Sequence, residues 1–449
     1  MERRPISLAA GVKRVRSGLL KPSEWVSECL EVIAGLDERL KAWAFVDPDA
    51  AMRRAVELDG EDWFSYKPDP ILAGAPIGVK DIFNTIDHPN GMGSPTRQGY
   101  WPGNDARVVT SVRLAGGLVI GKTTTAEFAV HSAPETLNPW DSGHIAGTSS
   151  TGSAVAVATG MVPAALGTQS AGSIARPASY NGVVGFKPSF GMVPRTGVLK
   201  TCDTFDTIGW MTRNIEDAIL LLDALRVRGR NYPVVEAGVS HFAKAFSGRQ
   251  NYVLGKLKAP GFEDISGHSL DSWEQLASQI ANRRDTAVKE LDWRSLLSEA
   301  HEIHQVIYDK SLAYYFRKEL GDVSFVSPIF KEIVERSKII TREKYFSSLS
   351  RQESLTRIAS DAFGDFDFLF LPTTSGEAPA LGELERKDSS LIWTLLGFPM
   401  VSVPIMKGAS GLPVGLTVVG RKYSDYELLK YVQKFIMPED AEIASYSEF

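Results

Sequence analysis

Residues 140 to 200 are unusually dense in Gly, Ser, Thr and Ala, yet apolar runs interrupt them: Val155-Ala-Val-Ala-Thr, Met161-Val-Pro-Ala-Ala-Leu and Val183-Val-Gly-Phe. A flexible linker has the small residues but not the apolar content. Small side chains let backbones approach closely, so this stretch is expected at the tightly packed centre of the fold. The rest of the chain has to be arranged around it.

The flanking sequence supplies the layers. The first 60 residues read as helices, with Trp25, Cys29, Val32, Ile33 and Leu36 at helical spacing. From 71 to 125 strands alternate with turns, as in Leu72-Ala-Gly-Ala-Pro-Ile-Gly-Val-Lys80-Asp81. Residues 225 to 350 are charged and helical in pattern, with Leu296, Ala300, Ile303 and Ile307 spaced by 4, 3 and 4. Three later runs return as buried strands: 365 to 374, 401 to 406 and 411 to 420. The expected organisation is one α/β domain over residues 1–449. It has an N-terminal helical segment (1–65), a core from 66–224 and 360–449, and a helical excursion (225–359) that leaves the sheet and comes back.

The chain has 449 residues and is 43% hydrophobic, enough to bury a sizeable core, and its net charge of −5 offers no basic stripe for nucleic acid or anionic lipid. No run approaches 18 apolar residues and the N-terminal apolar stretch is too short for a signal core, so no membrane span is expected. Two cysteines, Cys29 and Cys202, stand far apart, which fits a reducing cytoplasm rather than a disulfide framework.

Two motifs tempt and fail. Gly116-Gly-Leu-Val-Ile-Gly121-Lys122-Thr123 matches the phosphate-loop pattern letter for letter. Its four central residues read as a buried strand rather than a loop whose amides wrap phosphate, so nucleotide binding is the weaker reading. His301 and His304 lie three apart without a third ligand at a recognisable distance, and are expected to be a partly exposed helical pair rather than a metal site. No Gly-x-Ser-x-Gly elbow appears, which disfavours a Ser-His-Asp hydrolase.

Serine chemistry without histidine needs another base, and a buried lysine can serve because burial disfavours its charged form. Lys80, in the apolar run Pro76-Ile-Gly-Val-Lys80, is a candidate, with a surface Lys80–Asp81 pair as the rival reading. Two serine segments accompany it: Gly147-Thr148-Ser149-Ser150-Thr151-Gly152-Ser153, and Gly167-Thr168-Gln169-Ser170-Ala171-Gly172-Ser173. In the second, a strand is expected to end at Thr168 and a helix to start after Ser173. The small-residue turn between them would aim consecutive N–H groups at one substrate oxygen.

These segments resemble the amidase signature family, whose pattern joins a Gly-Val-Lys-Asp lysine, a Gly/Ser loop and a serine 24 positions beyond the loop's first serine. Ser149 and Ser173 are 24 apart and Lys80 fills the lysine position. The likeness continues through 182 to 198, Asp206-Thr-Ile-Gly209 and 411 to 420, covering roughly 10 to 225 and 365 to 435. It departs at Thr148 and Thr151, and at Gln169-Ser170-Ala171, where the family usually has Asp-Thr-Gly; some family amidases, malonamidase included, share the latter form.

The resemblance implies a single-domain fold with a large twisted mixed sheet between helices, and no cofactor or metal. It assigns Ser173 as nucleophile, Ser149 (in a cis peptide) as bridging serine and Lys80 as base. The amides of Ser170, Ala171, Gly172 and Ser173 become the oxyanion hole. Phe128 and Ala129 fall where family members line the acyl pocket. Thr148 stands beside the bridging serine, and Arg176 either clasps a substrate carboxylate or forms a structural ion pair.

The expected activity is hydrolysis of C–N bonds in small amides, neutral aryl or alkyl amides and anilides first, with carbamates and esters behind. The aromatic content of the excursion (Trp273, Trp293, Tyr308, Tyr314, Tyr315, Phe316, Phe325 and Phe330) favours apolar substrates. The rival is the A-type subunit of a glutamine-dependent tRNA amidotransferase working in a complex. A homodimer is carried as an expectation; no motif assigns the oligomeric state.

Overall fold

Among the described residues there are eleven strands, most of them apolar runs, and all of them join one sheet. The computed structural model describes residues 5–63, 70–130, 134–321 and 326–438. The strands are β1 (Trp43–Val46), β2 (Pro76–Lys80), β3 (Leu118–Thr123), β4 (Ala164–Gln169), β5 (Val184–Lys187), β6 (Thr207–Thr212), β7 (Tyr252–Lys258), β8 (Thr286–Asp292), β9 (Phe368–Pro372), β10 (Met400–Lys407) and β11 (Pro413–Val419). Their order in space is β1-β3-β2-β4-β6-β5-β10-β11-β9-β7-β8. β2 runs parallel to both β3 and β4, and β7 parallel to β8 and β9, while the other pairs are antiparallel. Every residue of β2 to β6, β9 and β11 is buried, as expected for strands covered by helices on both faces. The expected mixed sheet in a single α/β domain is what the chain forms.

The phosphate-loop mimic is resolved by this sheet. Leu118–Thr123 is the fully buried strand β3, and Lys122 points inward, donating to the carbonyls of Phe83 (2.7 Å) and Pro89 (3.2 Å) beside Asp81. Burial pushes Lys122 down to about 8, with Asp81 opposing that shift. Asp81 is thus the partner of Lys122, which leaves Lys80 free of a neighbouring carboxylate.

Two expectations need correction. The N-terminal segment is not all helix: β1 lies between the helices Pro22–Leu40 and Pro48–Asp59 and pairs with β3. Nor does the chain leave the sheet throughout 225–359. β7 and β8 sit inside that stretch and pair in parallel from Tyr252↔Thr286 to Lys258↔Asp292, joined by the crossover helix Gly267–Ala281. β8 is one of the two edge strands, and only Thr286 in it is buried. Its sequence Thr-Ala-Val-Lys-Glu-Leu-Asp therefore carries the charges of an exposed edge, which resemble those of a helix surface. The α-helices Pro233–Ala245, Ala300–Tyr315, Pro328–Lys338 and Arg342–Ala362 account for most of the rest of that stretch. Among the described residues, no helix is long and apolar enough to cross a membrane.

The small-residue stretch is the packed centre. In the helix Thr151–Ala158, a β-carbon on Gly152 would stand 2.2 Å from the Ala42 carbonyl oxygen and 2.4 Å from the Thr124 nitrogen. The helix can therefore lie against backbone only because this position has no side chain. Ser153 Oγ then ties it to β4 through the Leu166 carbonyl (2.9 Å) and to β3 through Thr123 Oγ1 (2.7 Å).

Candidate active site

Adjacent parallel strands place the lysine and the serine loops together. β2 ends at Lys80, which is fully buried, and its Nζ lies 2.8 Å from Ser149 Oγ, 3.0 Å from Ser150 Oγ and 3.1 Å from Thr168 Oγ1. All three neighbours are hydroxyls, which neither neutralise an ammonium nor require one. Burial therefore holds Lys80 well below the usual lysine range, outweighing the opposite pull of Asp206. A neutral amine in this setting can accept a proton from a hydroxyl. Ser149 follows a cis peptide bond from Thr148.

The second loop begins where β4 ends, at Gln169 rather than Thr168. Gln169 does two jobs. Its Oε1 accepts from the Ile174 and Ala175 amides (2.9 and 3.0 Å), holding the start of the helix Ala175–Asn181, and its Nε2 donates to Thr394 Oγ1 (2.9 Å). The two serine loops are stitched together by Ser150, whose amide donates to the Ser173 carbonyl at 3.3 Å. Ser170 Oγ donates to Asp206 (2.7 Å), which also accepts from the amides of Thr201 and Cys202. Among the described residues, the amides of Ala171, Gly172 and Ser173 donate to no protein acceptor. The structure thus gathers Lys80, Ser149, Ser170, Ala171, Gly172 and Ser173 in one place.

The four residues expected to touch substrate lie in different settings. Ala129 borders a small cavity shared with Thr168, Ser170, Thr201, Asp206 and Ile208. Phe128 precedes it, but its ring is fully buried against Phe316 and Phe330 at centroid distances of 4.8 and 5.6 Å. In this structure the Phe128 ring packs the excursion residues Phe316 and Phe330 onto the core. Thr148 donates through its amide (3.1 Å) and hydroxyl (3.0 Å) to Glu385.

Arg176 is buried behind the loop, its Nε 2.6 Å from Asp388 and its Nη1 3.4 Å from Glu385. Its guanidinium lies where a β-carbon on Gly172 would meet it at 2.9 Å, so the loop glycine makes room for it. Burial works against that charge, but Asp388 and Glu385 outweigh it and hold Arg176 above its ordinary value. Of the two readings of Arg176, the ion pair is the one the structure displays.

The site therefore combines a buried lysine hydrogen-bonded to a loop serine with a turn whose amides have no protein acceptor among the described residues. The family model described as Amidase matches residues 24–429, which includes the excursion. The chain belongs to the amidase family. A solved amidase is 29% identical with a TM-score of 0.81, the match covering 94% of this chain and 98% of that one. The peptide amidase from Stenotrophomonas maltophilia is 26% identical with a TM-score of 0.78, over 97% and 98% of the two chains. The A-type subunit of glutamyl-tRNA(Gln) amidotransferase from Lysinibacillus sphaericus (strain C3-41) is 29% identical across 94% of both chains.

Within this amidase fold, several residues around the loops escaped the sequence reading. His304 was expected to be partly exposed; it is buried, stacked on Phe205 (4.6 Å between centroids), and its Nε2 lies 2.7 Å from the Ser170 carbonyl. The signal was available: position 304 continues the apolar stripe of Ala300, Ile303 and Ile307, and a polar ring on such a stripe needs a buried partner. Asp206 stands in a quoted motif, yet nothing local announces that its carboxylate turns back to Ser170. Thr394, Glu385 and Asp388 come from a segment more than 200 residues beyond the loops. Of the excursion aromatics, Trp273, Trp293, Tyr308, Phe316 and Phe330 are buried packing, Tyr314 is largely exposed, and Phe325 lies outside the described residues.

Proposed function

We propose that this amidase hydrolyses C–N bonds of small amides without a carboxylate beside the acyl group, through an acyl-enzyme on Ser173. The observation that carries the chemistry is Lys80, buried among hydroxyls and hydrogen-bonded to Ser149. Neutral Lys80 accepts the Ser149 proton while Ser149 takes that of Ser173, and Ser173 Oγ attacks the acyl carbon. The free amides of the loop receive the developing oxyanion, each such donor contributing about 3 kcal/mol in comparable sites. The proton then passes back through Ser149 to the nitrogen, the C–N bond breaks, and the amine or ammonia leaves. Water attacks the resulting ester by the same relay, releasing the acid and restoring Ser173.

The substrate class rests on Arg176. A carboxylate-bearing amide needs a free cation near the loop, and this one is already shared by Asp388 and Glu385. A further anion there would meet two carboxylates and one guanidinium. Neutral amides, anilides and carbamates face no such repulsion.

A second reading is supported by the relatives, and they support it more directly than they support a free hydrolase. A-type amidotransferase subunits match this chain over nearly its whole length. In that reading the same Ser173 acyl-enzyme forms from glutamine, and the ammonia passes to a tRNA-bound acceptor in a complex. Both readings share the first half-reaction and part at the fate of the nitrogen. Ammonia or aniline release by the purified chain separates them: turnover of neutral amides, with glutamine at least tenfold poorer in kcat/KM, supports the hydrolase. Turnover of glutamine alone, and only with partner subunits, establishes the amidotransferase.

A further inference from the structure

The turn that carries Ser173 is held from behind by its carbonyl groups. The carbonyl of Ser170 meets His304 Nε2 at 2.7 Å, that of Ala171 accepts from Thr394 Oγ1 at 2.8 Å, and that of Gly172 accepts from the Arg176 amide at 2.9 Å. In a planar trans peptide the C=O and the following N–H point in opposite directions. Fixing these three carbonyls on one side therefore turns the amides of Ala171, Gly172 and Ser173 to the other. Those are the amides without a protein acceptor among the described residues. The third anchor is the ordinary first turn of a helix. The first two are not: they are side chains brought in from the excursion helix Ala300–Tyr315 and the helix Ser390–Leu395.

We propose that His304 and Thr394 are positioning residues for the oxyanion hole, setting the direction of the Ala171 and Gly172 amides through the carbonyls they hold. The inference rests on Ser173 being the nucleophile. A carbonyl only accepts, so Nε2 of His304 carries the proton. The ring cannot swing away, because Phe205 stacks on it at an interplanar angle of 23° and Tyr308 lies 5.4 Å off. Burial holds His304 down at about 4, so it donates as a neutral ring at ordinary assay pH. Thr394 is fixed in turn by accepting from Gln169 Nε2, so the residue that ends β4 and the residue that orients the loop are coupled. The excursion, which the family model also spans, thus supplies one of the two props of the reaction centre.

The test is the rate at which a small alkyl fluorophosphonate labels the full chain. Ser173 Oγ displaces fluoride from phosphorus while the phosphoryl oxygen occupies the hole, so no knowledge of the natural substrate is needed. His304→Phe keeps the stacking and removes the donor; Thr394→Val keeps the shape and removes the hydroxyl. Each is expected to lower the inactivation rate constant roughly 10- to 100-fold, with the reversible binding constant and the melting temperature little changed. His304→Gln and Thr394→Ser, which restore a donor, are expected to recover most of the rate. Labelling of both donor-less variants at the wild-type rate overturns the proposal, as does equal slowing in His304→Phe and His304→Gln. Should His304→Phe not fold, the Thr394 pair decides alone. A wild-type chain that is not labelled at Ser173 defeats the nucleophile assignment instead, a separate outcome from unchanged rates in the variants.

Discussion

Lys80 Nζ stands 2.8 Å from Ser149 Oγ although 69 residues separate them, and the contact is made by parallel pairing. β2 and β4 run side by side, so the end of one delivers the amine and the end of the other delivers Thr168 and the turn that carries Ser173. The loop carrying Ser149 reaches the same point from the helix packed against β3 and β4.

If Ser173 is the nucleophile, Ser173→Ala should abolish turnover with the melting temperature retained, and fluorophosphonate should fail to modify it. Ser149→Ala should cost several orders of magnitude because the proton route runs through it. Mass spectrometry of labelled peptides checks the assignment; modification at Ser150 or Ser153 would overturn it. Chelators are expected to leave the rate unchanged, since the proposed Lys80–Ser149 relay calls on no metal.

The pH profile should follow Lys80. Its value is shifted downward by burial, so the neutral form is reached at lower pH than the ordinary 10.5. Activity is expected to rise with pH from the acidic side and level off in the mildly alkaline range. Lys80→Ala should remove that limb together with most activity. Lys80→Arg, which cannot deprotonate, should not rescue it. Near-normal rates in Lys80→Ala would sink the relay.

The same shift affects stability. Between the lowered value and 10.5, the unfolded chain holds a proton on Lys80 that the folded chain does not. Stability therefore falls as pH drops through that window and stays reduced below it. Lys80→Met removes the deficit, so at pH 7 it should be more stable than the wild type. The advantage should shrink as the pH is raised toward 10.5, read from paired urea midpoints.

Arg176→Ala should destabilise the fold strongly, by about 3–5 kcal/mol, because it leaves Asp388 and Glu385 buried without a cation. Removing the acids as well, in Arg176→Met with Asp388→Asn and Glu385→Gln, should recover much of that loss. A substrate-charge test accompanies it. A strong preference for a carboxylate-bearing amide, lost in Arg176→Ala, would make Arg176 the substrate-binding cation and reverse the present reading.

What could be read in the sequence was what is local. Lys80, Ser149 and Ser173 each lie in a short segment of small or apolar residues that alone fits a structural turn or strand equally well; the 24-residue separation shared with the amidase signature pattern is what singled them out as candidates. The strands of the core were legible because, buried on both faces, they are continuous apolar runs. β8 was not, because an edge strand keeps its charges and those charges fit a helix equally well; β7, between β9 and β8, was missed because Gly255, Lys256 and Lys258 interrupt its apolar run. The anchors of the active centre were hidden by distance. His304 lies 134 residues from the carbonyl it holds, and no periodicity states which neighbour a helix face will meet.

The placement of β7 and β8 has an evolutionary corollary. They occupy the far end of the strand order from β2 and β4, so residues can be gained, lost or exchanged at that margin without disturbing the register that sets Lys80 against Ser149. Divergence among relatives can accumulate there at little risk to the chemistry. A chimera that imports another amidase's segment between β6 and β9 should keep its proton relay, provided the graft brings a donor for the Ser170 carbonyl.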